Sequence, residues 1–262
     1  MFNFRSREEI IPLFHEIYNI LCSLDRDLEE PWYKINKIEF FQNFSSQEIE
    51  SMISKFEFLN NESWNHVSIN KIDFVLDSLN FLDHDISQLS TILNYSDFEK
   101  LVNRILAFNE FKVLNNFRFS DKSNYKKQTD QTRYEIDVIG LNRKVLILID
   151  AKQWNRRDSF SAINKAANLQ LQRVKALQKN PFILGDLIKK LNSKTTNIKN
   201  QLPLILIPIM VTLEESNLKL NHNKIPIVSI YKFNSFLREL SDNLLYFNIL
   251  KIDKLSIQES IL

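Results

Sequence analysis

The amino-acid sequence predicts an all-helical N-terminal domain followed by an α/β domain in which helices flank a mixed sheet. Two observations lead to this prediction. Apolar residues recur at helical spacing as far as about Leu93. From about Asn94 the order of elements becomes helix, three strands, helix, strand, strand, helix, which favours a sheet covered by helices. We therefore expect domains at residues 1–93 and 94–262.

In the N-terminal part, a first helix is indicated by an apolar stripe at helical spacing, made of Ile10, Phe14, Ile17 and Leu21. Ser45 and Glu48 form a capping-box signature at the start of a second helix. Further helices are predicted over Asn70 to Phe81 and Asp83 to Leu93. Trp32 and Trp64 lie in the connecting segments, and we interpret them as anchors of the core.

The α/β part begins with a helix and a three-stranded meander. The helix is predicted over Ser96 to Phe108, and the strands over Phe111 to Phe119, Arg133 to Leu141 and Lys144 to Gln153. The turn at Asn142 and Arg143 is short enough to require a hairpin between the second and third strands. The later elements are helices at about Ser159 to Lys179, Ile183 to Leu191 and Asn234 to Leu240, and strands at Leu204 to Thr212 and Ile225 to Ile230.

The composition excludes several classes of protein. The chain has 262 residues, 44% of them hydrophobic, so it can bury a sizeable core. Gly140 and Gly185 are its only glycines, which excludes glycine-rich phosphate loops and the nucleotide-binding enzymes that use them. The single cysteine, Cys22, cannot form an intramolecular disulfide, and we expect a reducing, cytoplasmic compartment. The longest apolar run, Leu202 to Val211, is too short to cross a bilayer, so no membrane partner is expected.

Three ionisable residues are expected to meet at one end of the meander. Asp150 and Lys152 close an apolar strand and point to the same face, because side chains alternate along a strand. The hairpin places Asp137 opposite or diagonal to Asp150, roughly 5–8 Å away depending on the register. Ionised groups that follow a strand buried on both faces are costly if they remain unpaired. This end of the sheet is therefore the candidate site.

A divalent cation would relieve the repulsion between the two aspartates. Carboxylate oxygens suit Mg²⁺, and Mn²⁺ accepts the same ligands. Lys152 would then lie beside the bound water and a phosphate, where it would orient the nucleophile or offset developing charge. The alternative is a structural ion pair between Lys152 and either Asp137 or Asp150.

The segments YEIDVI (134–139) and LIDAKQW (148–154) resemble the PD-(D/E)xK nuclease superfamily, which includes restriction endonucleases and archaeal Holliday-junction resolvases. The resemblance covers about Asn94 to Leu240. It implies a restriction-endonuclease-like fold and a Mg²⁺-dependent endonuclease that hydrolyses DNA phosphodiester bonds and leaves a 5′-phosphate. Restriction, repair and junction cleavage all remain open. Members frequently act as homodimers, so a homodimer is expected.

The resemblance also implies the role of each site residue. Glu99, Asp137 and Asp150 would hold the metal, Lys152 would position the attacking water, and Gln170 would be a further catalytic residue on the next helix.

Alternatives exist for the two residues that lie on helices. Glu99 also forms a capping box with Ser96, which would make its role structural, and Glu110 is a weaker substitute as a ligand. Gln172 competes with Gln170, but Gln170 lies nearer the apolar stripe of Ile163, Ala167 and Val174 and is preferred. A solvated helix face is an equally good interpretation.

With 34 basic and 32 acidic side chains the net charge is only +2, so nucleic-acid binding requires a local basic patch. The candidates flank the meander, and they are Lys122, Lys126, Lys127, Arg133, Arg156, Arg157 and Arg173. Two other functions fit the sequence. One is a catalytically inactive nucleic-acid-binding module of the same fold, and the other is a protein-interaction module that uses the helical half.

Overall fold

The structure of the protein, a computed structural model, describes residues 7–81, 86–120, 133–153, 160–192 and 202–255. The chain forms two compact units, Met1–Leu101 and Val102–Leu262. The division falls inside the helix Tyr95–Phe108, a few residues beyond the predicted boundary. A mainly helical region precedes a mixed sheet flanked by helices, which confirms the predicted fold class.

The first unit is built mainly from helices, which are α1 (Ile11–Ser23), α2 (Ser46–Ile53), α3 (Lys71–Phe81), α4 (Ile86–Leu89) and the beginning of α5 (Tyr95–Phe108). The stripe predicted for α1 faces the core, because Phe14 and Ile17 are fully buried. The capping box also forms as predicted. The Glu48 carboxylate accepts the backbone N–H of Ser45 at 2.7 Å and so satisfies a donor at the start of α2.

Aromatic rings fill the core of this unit. The ring centroid of Phe14 lies 5.1 Å from that of Phe58, 5.7 Å from that of Phe74 and 5.8 Å from that of Phe56. Ring pairs at such separations contribute about 0.5–1.5 kcal/mol each beyond the area they bury. The first unit therefore has an apolar core of its own.

The helical region also contains a small antiparallel sheet, which the all-helical prediction did not include. Its strands are β1 (Trp32–Lys34), β2 (Leu59–Glu62) and β3 (His66–Ile69), in the order β1-β3-β2. The strands are only three or four residues long, so none has a sustained alternation of apolar and polar residues. Trp32 and Trp64 are 56% and 88% exposed, so their interpretation as core anchors was wrong.

The second unit contains β4 (Lys112–Ser120), β5 (Arg133–Asn142), β6 (Val145–Lys152), α6 (Phe160–Gln178), α7 (Pro181–Leu191), β7 (Leu204–Thr212), β8 (Ile227–Ser229), α8 (Ile230–Arg238), α9 (Leu240–Asn243) and β9 (Leu250–Ile252). Six strands of the described chain form one sheet in the order β4-β5-β6-β7-β8, with β9 pairing with β7. The meander β4-β5-β6 is antiparallel, whereas β6, β7 and β8 run parallel. The sheet is therefore mixed, as predicted.

The central strands β6 and β7 are apolar because both of their faces are covered. Leu146 to Ile149 are fully buried, as expected for strands of a parallel sheet between helices. Pro208 lies in the middle of β7, where a proline lacks the N–H that a ladder needs. It is tolerated because β9 pairs with Leu204–Leu206 and β8 with Met210–Thr212, so neither of these strands pairs with Pro208.

Helices α6 and α7 cover one face of the sheet. Their shared core cluster includes Ile139, Leu148, Val174, Leu177, Leu184 and Ile188. Gly140 faces the opposite side, where a Cβ would lie 3.1 Å from Phe111 Cδ1 and 3.2 Å from Leu106 Cδ1 of α5. No helix among the described residues is long and apolar enough to cross a membrane.

Candidate active site

Asp137, Asp150 and Lys152 come together where strands β5 and β6 separate. The pairing of the two strands ends at Val138 and Ile149, and the two aspartates are the next residues along. All three side chains project from the face that α6 covers, because residues two apart on a strand share a face. The meander thus brings two carboxylates and an ammonium to one sheet end.

Asp150 is the most deeply buried ionisable group at this end of the sheet. Its side chain is 1% exposed, and its Oδ1 lies 3.2 Å from Lys152 Nζ and 2.7 Å from Arg173 Nη1. A buried carboxylate needs such partners, since an uncompensated charge in the interior is strongly destabilising. Both cations are partly exposed, so they connect the buried carboxylate with the surface.

Asp137 is held by the backbone of the neighbouring strand. Its Oδ2 accepts the N–H of Ala151 at 2.9 Å and lies 3.7 Å from Lys152 Nζ. Burial, followed by the repulsion of the Asp150 carboxylate, raises the pKa of Asp137 to about 6. Lys152, the Ala151 hydrogen bond and Arg173 act in the opposite direction without cancelling the shift. Burial is thus the larger cause of the shift, and repulsion by Asp150 adds to it.

Opposite Asp137, the neighbouring strand β4 is locally distorted. Asn115 pairs with Val138 and Phe117 pairs with Ile136, whereas Asn116 has a left-handed backbone with φ of 51°. Asparagine tolerates this region better than most residues. The β4–β5 and β5–β6 registers do not include Asp137, so strand pairing is interrupted there on both sides.

Gln170 and Arg173 of α6 form a short chain of hydrogen bonds between strand β6 and the site. Gln170 is fully buried, and its Nε2 donates to the carbonyl oxygen of Leu148 at 2.9 Å. Its Oε1 accepts from Arg173 Nη1 at 3.2 Å, while the same Nη1 donates to Asp150. Gln172 is exposed, so the helical stripe correctly indicated that Gln170 is the inward-facing glutamine.

The part played by Arg173 was missed by the sequence analysis, which predicted it only as a phosphate contact. A signal was present, because residues three apart on a helix are neighbours and Gln170 had already been assigned to the inner face. The distance between Asp150 and α6, however, depends on how the helix packs, and the sequence pattern does not supply it.

The remaining predicted ligand, Glu99, lies in the part of α5 that belongs to the first unit, and it is buried. Its role as a metal ligand stays a prediction. Glu110, the substitute, is exposed and has a left-handed backbone with φ of 62°.

Among the predicted DNA contacts, Arg133 is exposed at the start of β5. The other basic candidates, Lys122, Lys126, Lys127, Arg156 and Arg157, lie outside the described residues.

The donor chemistry of the site fits a hard divalent cation. Asp137 and Asp150 supply carboxylate oxygens in contact with the same ammonium group. Within the described ranges, no three His, Cys, Asp or Glu side chains gather into a metal-binding group. Mg²⁺ is usually held by one or two carboxylates together with water and substrate phosphates rather than by an all-protein cage. The aspartate pair meets that lower requirement.

The second unit is thus a mixed sheet that carries acidic and basic side chains where β5 and β6 separate. Comparison with known families agrees with a nuclease-like domain. Residues 96–247 match NERD, the nuclease-related domain, and the chain belongs to this family. Membership indicates a nuclease-related function.

Other comparisons add little. A comparison with curated proteins gave no significant match. Among solved structures, protein VC1899 from Vibrio cholerae is similar, with 12% sequence identity and a TM-score of 0.33. The match covers 93% of this chain, which spans 58% of the length of that structure.

Proposed function

We propose that the protein is a metal-dependent nuclease of the PD-(D/E)xK type that hydrolyses DNA phosphodiester bonds. The observation that carries the proposal is the convergence of Asp137, Asp150 and Lys152 at one end of the sheet. The ammonium nitrogen of Lys152 lies within 3.7 Å of an oxygen of each carboxylate. Membership of the nuclease-related family supports it, because the match spans all three residues.

Asp137 and Asp150 would hold the metal, with water and substrate phosphates as its remaining ligands. Bound there, Mg²⁺ or Mn²⁺ would act as a Lewis acid toward the phosphate and would favour ionisation of water. The backbone N–H of Ala151 fixes Asp137, and the lysine and arginine fix Asp150, so the chain orients both carboxylates before any ligand arrives. Such preorganisation lowers the cost of binding a highly charged substrate.

Lys152 is the proposed catalytic cation. Its ammonium lies between the two carboxylates and is partly exposed, so it can donate a hydrogen bond toward a phosphate oxygen or a water at the same place. In the proposed hydrolysis the water oxygen bonds to phosphorus, the P–O3′ bond breaks, and the 3′ oxygen leaves with a proton. Lys152 would orient the attacking water and offset the charge that develops on the phosphate.

The distribution of charge supports DNA binding by the second unit. Residues 1–101 carry 8 Lys and Arg against 18 Asp and Glu, whereas residues 102–262 carry 26 against 14. The net charge of +2 therefore conceals a strongly acidic unit and a strongly basic one. Phosphate contacts provide most of the affinity of non-specific DNA binding, so the basic unit is the proposed DNA-binding surface.

A catalytically inactive nucleic-acid-binding module is the second candidate. It is favoured by the contacts of Asp150, whose carboxylate is already compensated by Lys152 and Arg173 without any metal. In such a module the acidic cluster would be a structural ion-pair network. Replacement of Asp150 would then change stability and leave DNA binding unaltered.

The test is cleavage of plasmid, linear duplex, four-way junction and single-stranded DNA with Mg²⁺, Mn²⁺ or EDTA. Asp150→Asn and Lys152→Ala are compared with matched controls at exposed positions, Asp186→Asn on α7 and Lys251→Ala on β9. Metal-dependent cleavage that is lost in both site variants and kept in both controls supports the proposal. An absence of cleavage on every substrate, with DNA binding retained by Asp150→Asn, contradicts it and favours the inactive module.

A further inference from the structure

Arg173 lies within the candidate site and binds an oxygen of Asp150, one of the two carboxylates proposed to hold the metal. Its Nη1 is 2.7 Å from Asp150 Oδ1, which is the shortest ion-pair distance of this site. The same nitrogen donates to Gln170 Oε1 at 3.2 Å. Gln170 is itself fixed by its bond to the Leu148 carbonyl, so the acceptor that steers Arg173 belongs to the rigid part of the fold.

The charges of the site balance only while Arg173 remains in place. Two carboxylates, Asp137 and Asp150, face two cations, Lys152 and Arg173. A divalent cation bound to Asp150 would introduce a strong repulsion toward a guanidinium on the same carboxylate oxygen. Withdrawal of one of the two cations would therefore favour binding of the metal.

Of the two cations, Arg173 is the one that can withdraw. Lys152 follows Asp150 on the same strand, and its ammonium also contacts Asp137, so it stays at the site. Arg173 reaches the site from α6, and its side chain is 22% exposed. A long side chain with access to solvent can turn outward while its helix stays packed.

We propose that Arg173 is a positioning residue that occupies Asp150 in the absence of metal and transfers to a backbone phosphate of the DNA when metal binds. The inference rests on the proposed nuclease function. A guanidinium suits both partners, because its planar array of donors matches carboxylate and phosphate oxygens alike. The exchange keeps Asp150 compensated before the reaction and places a cation on the substrate during it.

Two opposite effects follow from this competition when Arg173 is replaced. In Arg173→Met the guanidinium no longer competes for Asp150, so we expect Mn²⁺ to bind about tenfold more tightly or better. Metal-free protein should melt at a lower temperature, because Asp150 loses a partner in the interior. A purely structural role for Arg173 would instead lower metal affinity together with stability.

The experiment is isothermal titration of the full chain with Mn²⁺ without DNA, together with thermal unfolding in EDTA. The variants are Arg173→Met, Arg173→Lys and the control Arg238→Met, which changes an exposed arginine on α8. Arg173→Lys keeps the charge but cannot donate in the planar geometry of a guanidinium, so its affinity should lie between wild type and Arg173→Met. This variant also serves as the test if Arg173→Met fails to fold.

The outcomes separate this inference from the function on which it rests. Tighter Mn²⁺ binding by both variants, with Arg238→Met unchanged, supports the exchange. Equal or weaker binding by both, alongside wild-type protein that does bind Mn²⁺, overturns the exchange and leaves the nuclease proposal intact. Wild-type protein that binds no Mn²⁺ at millimolar concentration and cleaves no DNA overturns the proposed function and this inference with it.

Discussion

Asp137 Oδ2 accepts the backbone N–H of Ala151 at 2.9 Å, so a side chain of β5 bonds to the main chain of β6 immediately beyond the last paired residues. The bond continues the connection between the two strands where the ladder has ended. It also fixes the carboxylate relative to Asp150 without a metal. The fold itself therefore holds this carboxylate in place. Active sites generally depend on such supporting contacts.

Two variants of Asp137 should distinguish the contribution of its hydrogen bond from that of its charge. In Asp137→Asn the amide oxygen can still accept the Ala151 N–H, whereas Asp137→Ala removes this hydrogen bond. A hydrogen bond contributes about 0.5–1.5 kcal/mol to stability. We expect Asp137→Ala to be less stable than Asp137→Asn by this amount in denaturant titrations with EDTA. Equal stability would show that the Ala151 bond contributes nothing, while both variants should lack metal-dependent cleavage.

A second carboxyl with an altered pKa lies far along the chain from the candidate site. Burial, and then the carboxylates of Glu57 and Asp73, raise the pKa of Asp77 on α3 to about 6, from 3.8. The folded state therefore binds this proton more tightly than the unfolded chain does. This contribution to stability is present below about pH 4, decreases as the pH rises toward 6, and is lost above it.

Asp77→Asn should thus stabilise the protein in a pH-dependent way. An amide mimics the neutral acid, so wild type and variant should melt at similar temperatures near pH 4. The variant should melt at a higher temperature at pH 7 to 8. Melting curves across this range, with Asp186→Asn as an exposed control, measure the difference. A difference independent of pH would mean that Asp77 does not titrate as described.

The meander and the three residues at its end could be predicted because local patterns specify them. Alternation places Asp150 and Lys152 on one face, and a two-residue turn sets the register that brings Asp137 beside them. The contact of Arg173 with Asp150 could not be predicted, because it depends on the packing of α6 over the sheet. The strands around Trp32 and Trp64 were missed for a different reason, because they are too short to show an alternation of apolar and polar residues.

Gly140 should tolerate no side chain without rearrangement. A Cβ there would lie 3.1 Å from Ile147 Cγ1 and Phe111 Cδ1, and 3.2 Å from Leu106 Cδ1. These neighbours are packed between α5 and the sheet, and crowding of this kind costs about 1–3 kcal/mol. We expect Gly140→Ala to lower the free energy of unfolding accordingly. Leu106→Val removes the Cδ atoms of one neighbour, so the double variant should be more stable than the sum of the single effects. Strict additivity would contradict this packing.

Trp64 should be replaceable with a gain in stability. Trp64 and Asn65 are two of the three residues between β2 and β3, and their φ values are 63° and 60°. Asparagine adopts this left-handed region more readily than a bulky residue does. The indole is 88% exposed, so little burial would be lost. We expect Trp64→Asn to stabilise the protein by about 0.5–1 kcal/mol in denaturant titrations, because asparagine adopts this backbone at lower cost. A loss of stability would indicate that the indole makes contacts worth more than the strain.

The division of charge between the two units predicts where a single charge reversal will affect DNA binding. Arg133→Glu at the start of β5 and Arg26→Glu in the first unit change the net charge equally, and both arginines are exposed. If the basic unit binds the phosphates, Arg133→Glu should weaken binding severalfold and reduce the salt dependence of the affinity by about one phosphate contact. Arg26→Glu should leave both unchanged. Binding is measured in EDTA over a range of salt concentrations, so that no cleavage interferes. Equal weakening by the two variants would mean that overall charge, rather than a surface of the second unit, determines the affinity.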